Sequence, residues 1–265
     1  MDTFNSYLKS LTEERKSWLC VGLDIYPEAI GSDQLSDLKA HTLKVIDATR
    51  NFAIAYKPNF AFFERWGSKG FAWLEETVSY IGSNHIKIAD AKRGDIGNTA
   101  NQYAESVFNH FGFDAVTLNP YMGKDSVQPF IQYPEKGAFI LCRTSNPSAS
   151  DFQNGTTEQV PLFEKVAYWA NDLNINDNIG LVVGATATEE LSKVRKISPD
   201  LSLLIPGVGV QEGNMETSLK VSNQTGVGLI NISRSINFAG NMSSADIFNI
   251  AEDYVENMRQ VFHYD

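Results

Sequence analysis

Eight short apolar runs, each followed by a longer amphipathic stretch, constrain this chain more than any other feature. They occupy residues 18–23, 52–56, 86–89, 115–118, 138–142, 180–183, 201–205 and 227–232. Within each run the apolar residues follow one another almost without interruption. A strand exposed on one face alternates apolar with polar residues. A strand covered on both faces does not, which is how parallel strands under helices read. The segments between the runs carry helical spacing. Val160, Phe163, Val166, Ala167 and Ala170 share one face of a helix expected over 160–173. Thr188 opens another, with Glu189 and Glu190 in its first turn and Lys193, Arg195 and Lys196 toward its end. That order suits the helix dipole. Further helices are expected over 37–50, 71–81, 99–111 and 244–261.

About eight strands alternating with helices in 265 residues predict an α/β chain, a (β/α)8 TIM barrel. No linker-like tract or break in composition divides it, so one domain over 1–265 is expected. The longest loop-like stretch, 144–157, is rich in Ser, Asn, Thr and Gly, and a loop of that length in a compact domain is often a lid. The formal net charge of −10 argues against nucleic acid or an anionic membrane as the partner. No run of 18 or more apolar residues exists to span a membrane, and the first residues lack the basic-then-apolar pattern of a signal peptide. Cys20 and Cys142 each lie in or beside an apolar run, as reduced, buried thiols of a cytoplasmic protein do. Two cysteines and the scattered His41, His85, His110 and His263 do not suggest a zinc site or a nucleophilic triad.

A barrel of this kind carries its active site at the C-terminal ends of its strands, so the residues just after each run form a test set. The third run leads into Asp90-Ala91-Lys92-Arg93-Gly94-Asp95. Side chains two apart on a strand share a face, which puts Asp90 and Lys92 together, with Asp95 in the turn beyond. Two carboxylates flanking an ammonium group are costly to bury unless they pair. They fit either a structural ion-pair network or an array that holds a lysine for proton transfer. Asp24 after the first run and Lys57 after the second extend the alternation of charge. A Mg²⁺ ion on Asp90 and Asp95 would have to displace Lys92, so no metal is expected. After the seventh and eighth runs stand Gly207, Gly209 and Gln211, and Ser233 and Arg234. That is the place where such barrels bind phosphate, with backbone N–H groups and side-chain donors converging on an anion. The plainer alternative is a glycine turn and a surface arginine. A dinucleotide fingerprint is broken at Glu212. The aromatic group Phe60, Phe62, Phe63, Trp66, Phe71 and Trp73 reads as core or interface.

Over nearly its whole length the chain resembles the orotidine 5′-phosphate decarboxylase family, in its longer bacterial subgroup. The resemblance rests on several segments: Leu23-Asp24, Tyr56-Lys57-Pro58-Asn59, Asp90-Ala-Lys-Arg-Gly-Asp-Ile-Gly-Asn-Thr99, Thr117-Leu-Asn-Pro-Tyr-Met-Gly123, Arg143-Thr-Ser-Asn-Pro147, Pro206-Gly-Val-Gly-Val-Gln211 and Arg234-Ser-Ile236. The D-x-K-x-x-D pattern alone also fits sugar-phosphate decarboxylases and hexulose-phosphate synthases. The Ile-Gly-x-Thr that follows and the Arg-Thr-Ser-Asn-Pro loop favour the nucleotide enzyme. The resemblance implies a homodimer with shared active sites that converts orotidine 5′-phosphate to UMP and CO₂ without cofactor or metal. It implies that Lys57, Asp90, Lys92 and Asp95 form the charged catalytic array, with Lys92 the proton donor and Asp95 reaching the neighbouring subunit's site. Asp24 and Lys57 would hold the ribose hydroxyls. Ile96 and Thr99 would cross the interface with Asp95, and Ser145 would contact the pyrimidine from a closing loop. Gln211 and Arg234 would hold the phosphate. Many relatives have Gly where this chain has Ser233.

Overall fold

The computed structural model describes residues 2–157, 159–208 and 214–263. Among these, the eight apolar runs form a closed parallel barrel. Its strands are β1 (Leu19–Leu23), β2 (Ala55–Pro58), β3 (Ile86–Arg93), β4 (Ala115–Leu118), β5 (Gly137–Arg143), β8 (Ile179–Val183), β9 (Ser202–Pro206) and β10 (Gly228–Ile232). A small antiparallel hairpin, β6 (Thr156–Thr157) with β7 (Val160–Pro161), interrupts the numbering. Barrel neighbours follow chain order, and β10 closes onto β1 through the pairs Leu19 with Ile230 and Val21 with Ile232. Strands β1, β2, β4, β8 and β10 are buried at every residue, the burial that their unalternating composition anticipates.

Helices cover the outside. Leu35–Thr49 buries Leu38, Val45 and Ile46. Ser68–Ile81 buries Trp73, Leu74 and Val78, and Ser244–Val261 buries Ile247, Ala251, Val255 and Met258. These are the i, i+3, i+4 positions that one helical face presents to a core. The expected helix over 99–111 begins at Gly97 and ends in a wider turn, Ser106–His110. Two boundaries move for local reasons. Phe52 and Ala53 stay out of β2 because their N–H groups bond back to the carbonyl of Thr49, at 2.9 and 3.0 Å. The helix expected from 160 begins at Leu162, because Val160 and Pro161 pair with Thr157 and Thr156. The 144–157 stretch is therefore not structureless. It holds a single helical turn, Pro147–Asp151, and the first hairpin strand.

The N-terminal rim is sealed by the first helix, Phe4–Arg15. The Phe4 ring lies edge-on to Phe139 at 5.9 Å, over Gly137, where a Cβ would come within 2.5 Å of it. Asn5 donates to the carbonyl of Ile179 at 3.0 Å and accepts from Ser202 Oγ at 2.6 Å. With that end plugged, the cavity of the barrel lies at the C-terminal ends of its strands.

Candidate active site

The open end contains a cavity of about 400 Å³ lined from the ends of all eight barrel strands or the loops that follow them. Lys57 and Asp90 form its floor. They are 4% and 8% exposed, and Lys57 Nζ meets Asp90 Oδ2 at 2.5 Å. The other oxygen, Oδ1, accepts from Lys92 Nζ at 2.5 Å and from the hydroxyl of Thr117 at 3.1 Å. Asp90 thus binds both ammonium groups at once. Burial alone would raise its pKa, but Lys57 and Lys92 outweigh that and hold the carboxyl well below the usual carboxylate range. Burial would likewise lower the pKa of Lys57, yet Asp90 and then Asp24 keep the ammonium above its ordinary value. Asp90 and Lys57 are therefore both charged at neutral pH. Lys92 is the accessible one, its side chain half exposed at the mouth of the cavity.

Asp90 and Lys92 meet, as strand alternation predicts, but the backbone between them is not regular. Ala89 pairs with Val116 and Arg93 with Leu118, so β3 bulges against β4. Within the bulge Lys92 adopts the left-handed conformation, with φ of 46°. A lysine rarely sits there without compensating contacts.

The opposite wall carries Gly207, Ser233 and Arg234. Gly207 has φ of 92°, open to glycine and strained for other residues. Gly22 on β1 is required by the approach of Ser233, whose Oγ would lie 2.0 Å from a Cβ there. Gly184 similarly admits Ser145, which lines the cavity from the loop after β5. The base of that loop is pinned. Thr144 N donates to Gln153 Oε1 at 2.8 Å, and Arg143 Nε to Glu190 Oε1 at 3.2 Å. Asp24 lines the cavity between these groups, and its buried Oδ1 has no hydrogen-bond partner. Gly209 and Gln211 lie outside the described residues.

Asp95, Ile96 and Thr99 are not brought to this cavity. Asp95 Oδ1 caps the N–H of Ile96 at 2.8 Å, and Ile96 is 58% exposed. Thr99 is exposed on the helix Gly97–Glu105. The four histidines stand elsewhere. His41 is buried with Nε2 2.6 Å from the carbonyl of Asn237, and His85 bonds the carbonyl of Arg50. Both cysteines are free and buried, and burial pushes the Cys20 thiol up to about 12. Of the aromatic group, Phe60, Phe63 and Trp73 are core, while Phe62, Trp66 and Phe71 pack partly exposed against it. Among the described residues, no group of three or more His, Cys, Asp or Glu side chains is placed to hold a metal ion.

Asn59, one of the residues expected at the end of the second run, lines the cavity, and site residues beyond the sequence reading are Thr117 and Asn231. Thr117 and Asn59 fall within the motifs of the resemblance. Asn231 gave no signal: it sits inside the eighth apolar run, 6% exposed, and its Oδ1 accepts from the Cys20 thiol at 3.5 Å.

A (β/α)8 barrel plugged at one end and bearing two lysines on a buried aspartate at the other belongs to the barrel enzymes that keep their chemistry on βα loops. Comparison with known proteins narrows the class. A family model described as "Orotidine 5'-phosphate decarboxylase / HUMPS family" matches residues 17–245. The chain is 42% identical to the orotidine 5′-phosphate decarboxylase of Halorubrum lacusprofundi, over 97% of this chain and 98% of that protein. It is 46% identical to that of Natronomonas pharaonis, over 90% and 89%. The solved structure of Leishmania donovani OMP decarboxylase superposes with a TM-score of 0.86 at 37% identity, covering 97% of this chain and 99% of that one. The chain belongs to the orotidine 5′-phosphate decarboxylase / HUMPS family.

Proposed function

We infer that the chain decarboxylates orotidine 5′-phosphate to UMP and CO₂, the last step of de novo UMP synthesis. The observation that carries this reading is the pair of ammonium groups locked on one buried carboxylate at the floor of a closed-bottom cavity. Loss of CO₂ breaks the bond from C6 of the pyrimidine to its carboxyl carbon and leaves the electron pair on C6. The Lys92 ammonium, already oriented by Asp90, stabilises that charge and delivers a proton to it. One proton is taken up and one CO₂ released, so the reaction is redox-neutral and needs no oxidant.

The remaining contacts are read from the cavity lining and from the sequence and its family resemblance, which alone supply Gly209 and Gln211. Asp24, with an unpartnered buried oxygen, accepts from ribose hydroxyls beside Lys57. Ser145 contacts the base. Gly207, Gly209, Gln211, Ser233 and Arg234 receive the phosphate, whose binding energy orients the ring from a distance. Slow uncatalysed reactions of this type require roughly 20 kcal/mol of barrier lowering. No single group supplies that much, and preorganisation of the whole array is the source.

We also read the active unit as a homodimer within a single-domain protein of the cytoplasm. Asp95, Ile96 and Thr99 do not line their own chain's cavity, and Ile96, Tyr121 and Met122 are exposed. A second copy seated there would receive Asp95 into its site. The two free, buried thiols suit a reducing compartment, and no helix among the described residues is long and apolar enough to cross a membrane.

The test is loss of the orotate-type absorbance when protein treated with EDTA is given orotidine 5′-phosphate. Turnover that survives chelation is expected. No turnover would overturn the assignment, and Mg²⁺-dependent turnover of a ribulose-type phosphate in its place would point to the sugar-phosphate branch of the family.

A further inference from the structure

We propose that Thr117 is a positioning residue of this site: its hydroxyl ties the backbone of Lys92 to the carboxylate of Asp90 and so aims the ammonium group. The proposal rests on the reading of Lys92 as the proton donor.

The bulge creates the need. Between the pairs Ala89 with Val116 and Arg93 with Leu118, strand β3 has Asp90, Ala91 and Lys92, while β4 has Thr117 alone. The backbone of β4 cannot match these residues one to one, and a buried N–H left without an acceptor is costly. The Lys92 N–H finds its acceptor in a side chain, Thr117 Oγ1, at 2.9 Å. A hydroxyl has one proton and two lone pairs. Having accepted from Lys92, Thr117 donates its proton to Asp90 Oδ1 at 3.1 Å.

That same oxygen receives Lys92 Nζ at 2.5 Å. The contacts close a ring: Lys92 N–H to Thr117 Oγ1, Thr117 to Asp90 Oδ1, and Lys92 Nζ back to Oδ1. The ring holds together the two features that regular strand geometry would not supply. One is the left-handed backbone of Lys92. The other is the return of its long side chain onto a residue only two positions earlier. Thr117 is 2% exposed, so water is poorly placed to replace its hydroxyl. Lys92, by contrast, has a half-exposed side chain and three rotatable donors. Without the tie, its ammonium has many orientations to sample and one productive one.

Thr117→Val keeps the β-branched shape and removes both hydrogen bonds. Thr117→Ala removes them without that shape, and Thr117→Ser restores the hydroxyl. The measurements are steady-state kinetics with orotidine 5′-phosphate and the affinity for UMP by titration calorimetry. Thr117→Val and Thr117→Ala are expected to lower kcat about ten- to a hundredfold, the effect of one hydrogen bond to a charged group. UMP affinity should stay within about threefold, and Thr117→Ser should recover kcat to within about threefold of the parent. Should Thr117→Val fold poorly, Thr117→Ala carries the same expectation. Three results overturn the proposal: kcat within about twofold of the parent in either variant, a loss confined to KM and UMP affinity, or no recovery with serine. Absence of turnover by the unmodified protein, or undiminished turnover by Lys92→Ala, overturns the parent reading instead.

Discussion

Replacing the buried pair of Lys57 and Asp90 separates what the site does for stability from what it does for chemistry. Their side chains are 5% and 10% exposed and meet at 2.5 Å. Asp90→Asn leaves the Lys57 ammonium buried with Asp24 as its remaining carboxylate neighbour. Removing one member of a buried pair costs about 3–5 kcal/mol, and Asp24 places this variant near the lower figure. Lys57→Met leaves Asp90 to the half-exposed Lys92, whose exposed contact contributes at most about 1 kcal/mol, so it falls near the upper. At about 2–4 °C per kcal/mol for a domain of this size, the single variants should melt roughly 6–20 °C below the parent. The double variant Lys57→Met/Asp90→Leu buries no uncompensated charge in this pair. Apolar replacement of a buried ion pair is often neutral or stabilising, so it should melt within about 3 °C of the parent or above it. The assay is scanning calorimetry without ligand near pH 7. Asp90 is held below its ordinary pKa, so its contribution is complete above about pH 4 and lost as pH falls through the depressed value. Lys57 is held above its ordinary pKa, so its contribution is complete below about pH 10 and lost as pH rises through the raised value. Neutral pH lies between the two limits. All three variants should be inactive. Single variants that melt within about 2 °C of the parent, or a double variant that loses the sum of the singles, would refute the reasoning.

Lys92→Ala should abolish turnover while leaving the melting temperature nearly unchanged, because the side chain is half exposed. Mixed and reassembled with Asp95→Ala, which should be inactive alone, it should regain about a quarter of parental activity, since half the dimers are mixed and each has one intact site. No recovery would show that Asp95 does not serve the neighbouring site. Arg195→Leu should lower the melting temperature by on the order of 10 °C and leave kcat at 25 °C unchanged. Its guanidinium is 2% exposed and donates to the carbonyls of Ser198, Pro199, Leu201, Ser222 and Val227 at the closed end of the barrel. A melting shift below about 3 °C would contradict that role.

The barrel was legible because its strands need burial on both faces, and that requirement writes unbroken apolar runs such as Ala115–Leu118. Boundaries were less so, since Phe52 and Ala53 are apolar enough for a strand but are held in a turn by one carbonyl. The contact of Asp90 with Lys92 was legible from spacing, but its cause was not. Regular pleating was the expected reason, whereas the structure has a bulge with a left-handed lysine. Contacts between distant strands left no local trace. Nothing near Gly22 announces that Ser233 will come to rest against it, and nothing near Cys20 announces Asn231. That Asp95, Ile96 and Thr99 do not line their own chain's cavity could not be read from the local pattern, because periodicity within one chain says nothing about what a second chain covers.

The two ends of the barrel use their buried polar groups differently. At the closed end buried polar side chains donate densely to backbone carbonyls, although Asn178 Oδ1 and Arg195 Nε have no partner. Asn178 alone donates to three carbonyls, of Ile131, Tyr133 and Lys136, and Arg195 to five. At the open end Asp24 keeps a buried oxygen without a partner, Lys92 holds an unfavourable backbone conformation, and three charges share a small, largely desolvated volume. A fold selected for stability alone would not retain these features, since apolar side chains could fill the space. They make sense if the array must be in place before negative charge develops on the substrate. A lysine gathered from solvent at that moment would have to shed water and fix its rotamers while the barrier is being climbed. One already bonded to Asp90 has done so during folding, and the stabilisation of the transition state is correspondingly larger. The stability deficit at the open end and the catalytic capacity of the site therefore have the same origin, and the Lys57→Met/Asp90→Leu variant should recover the first only by losing the second.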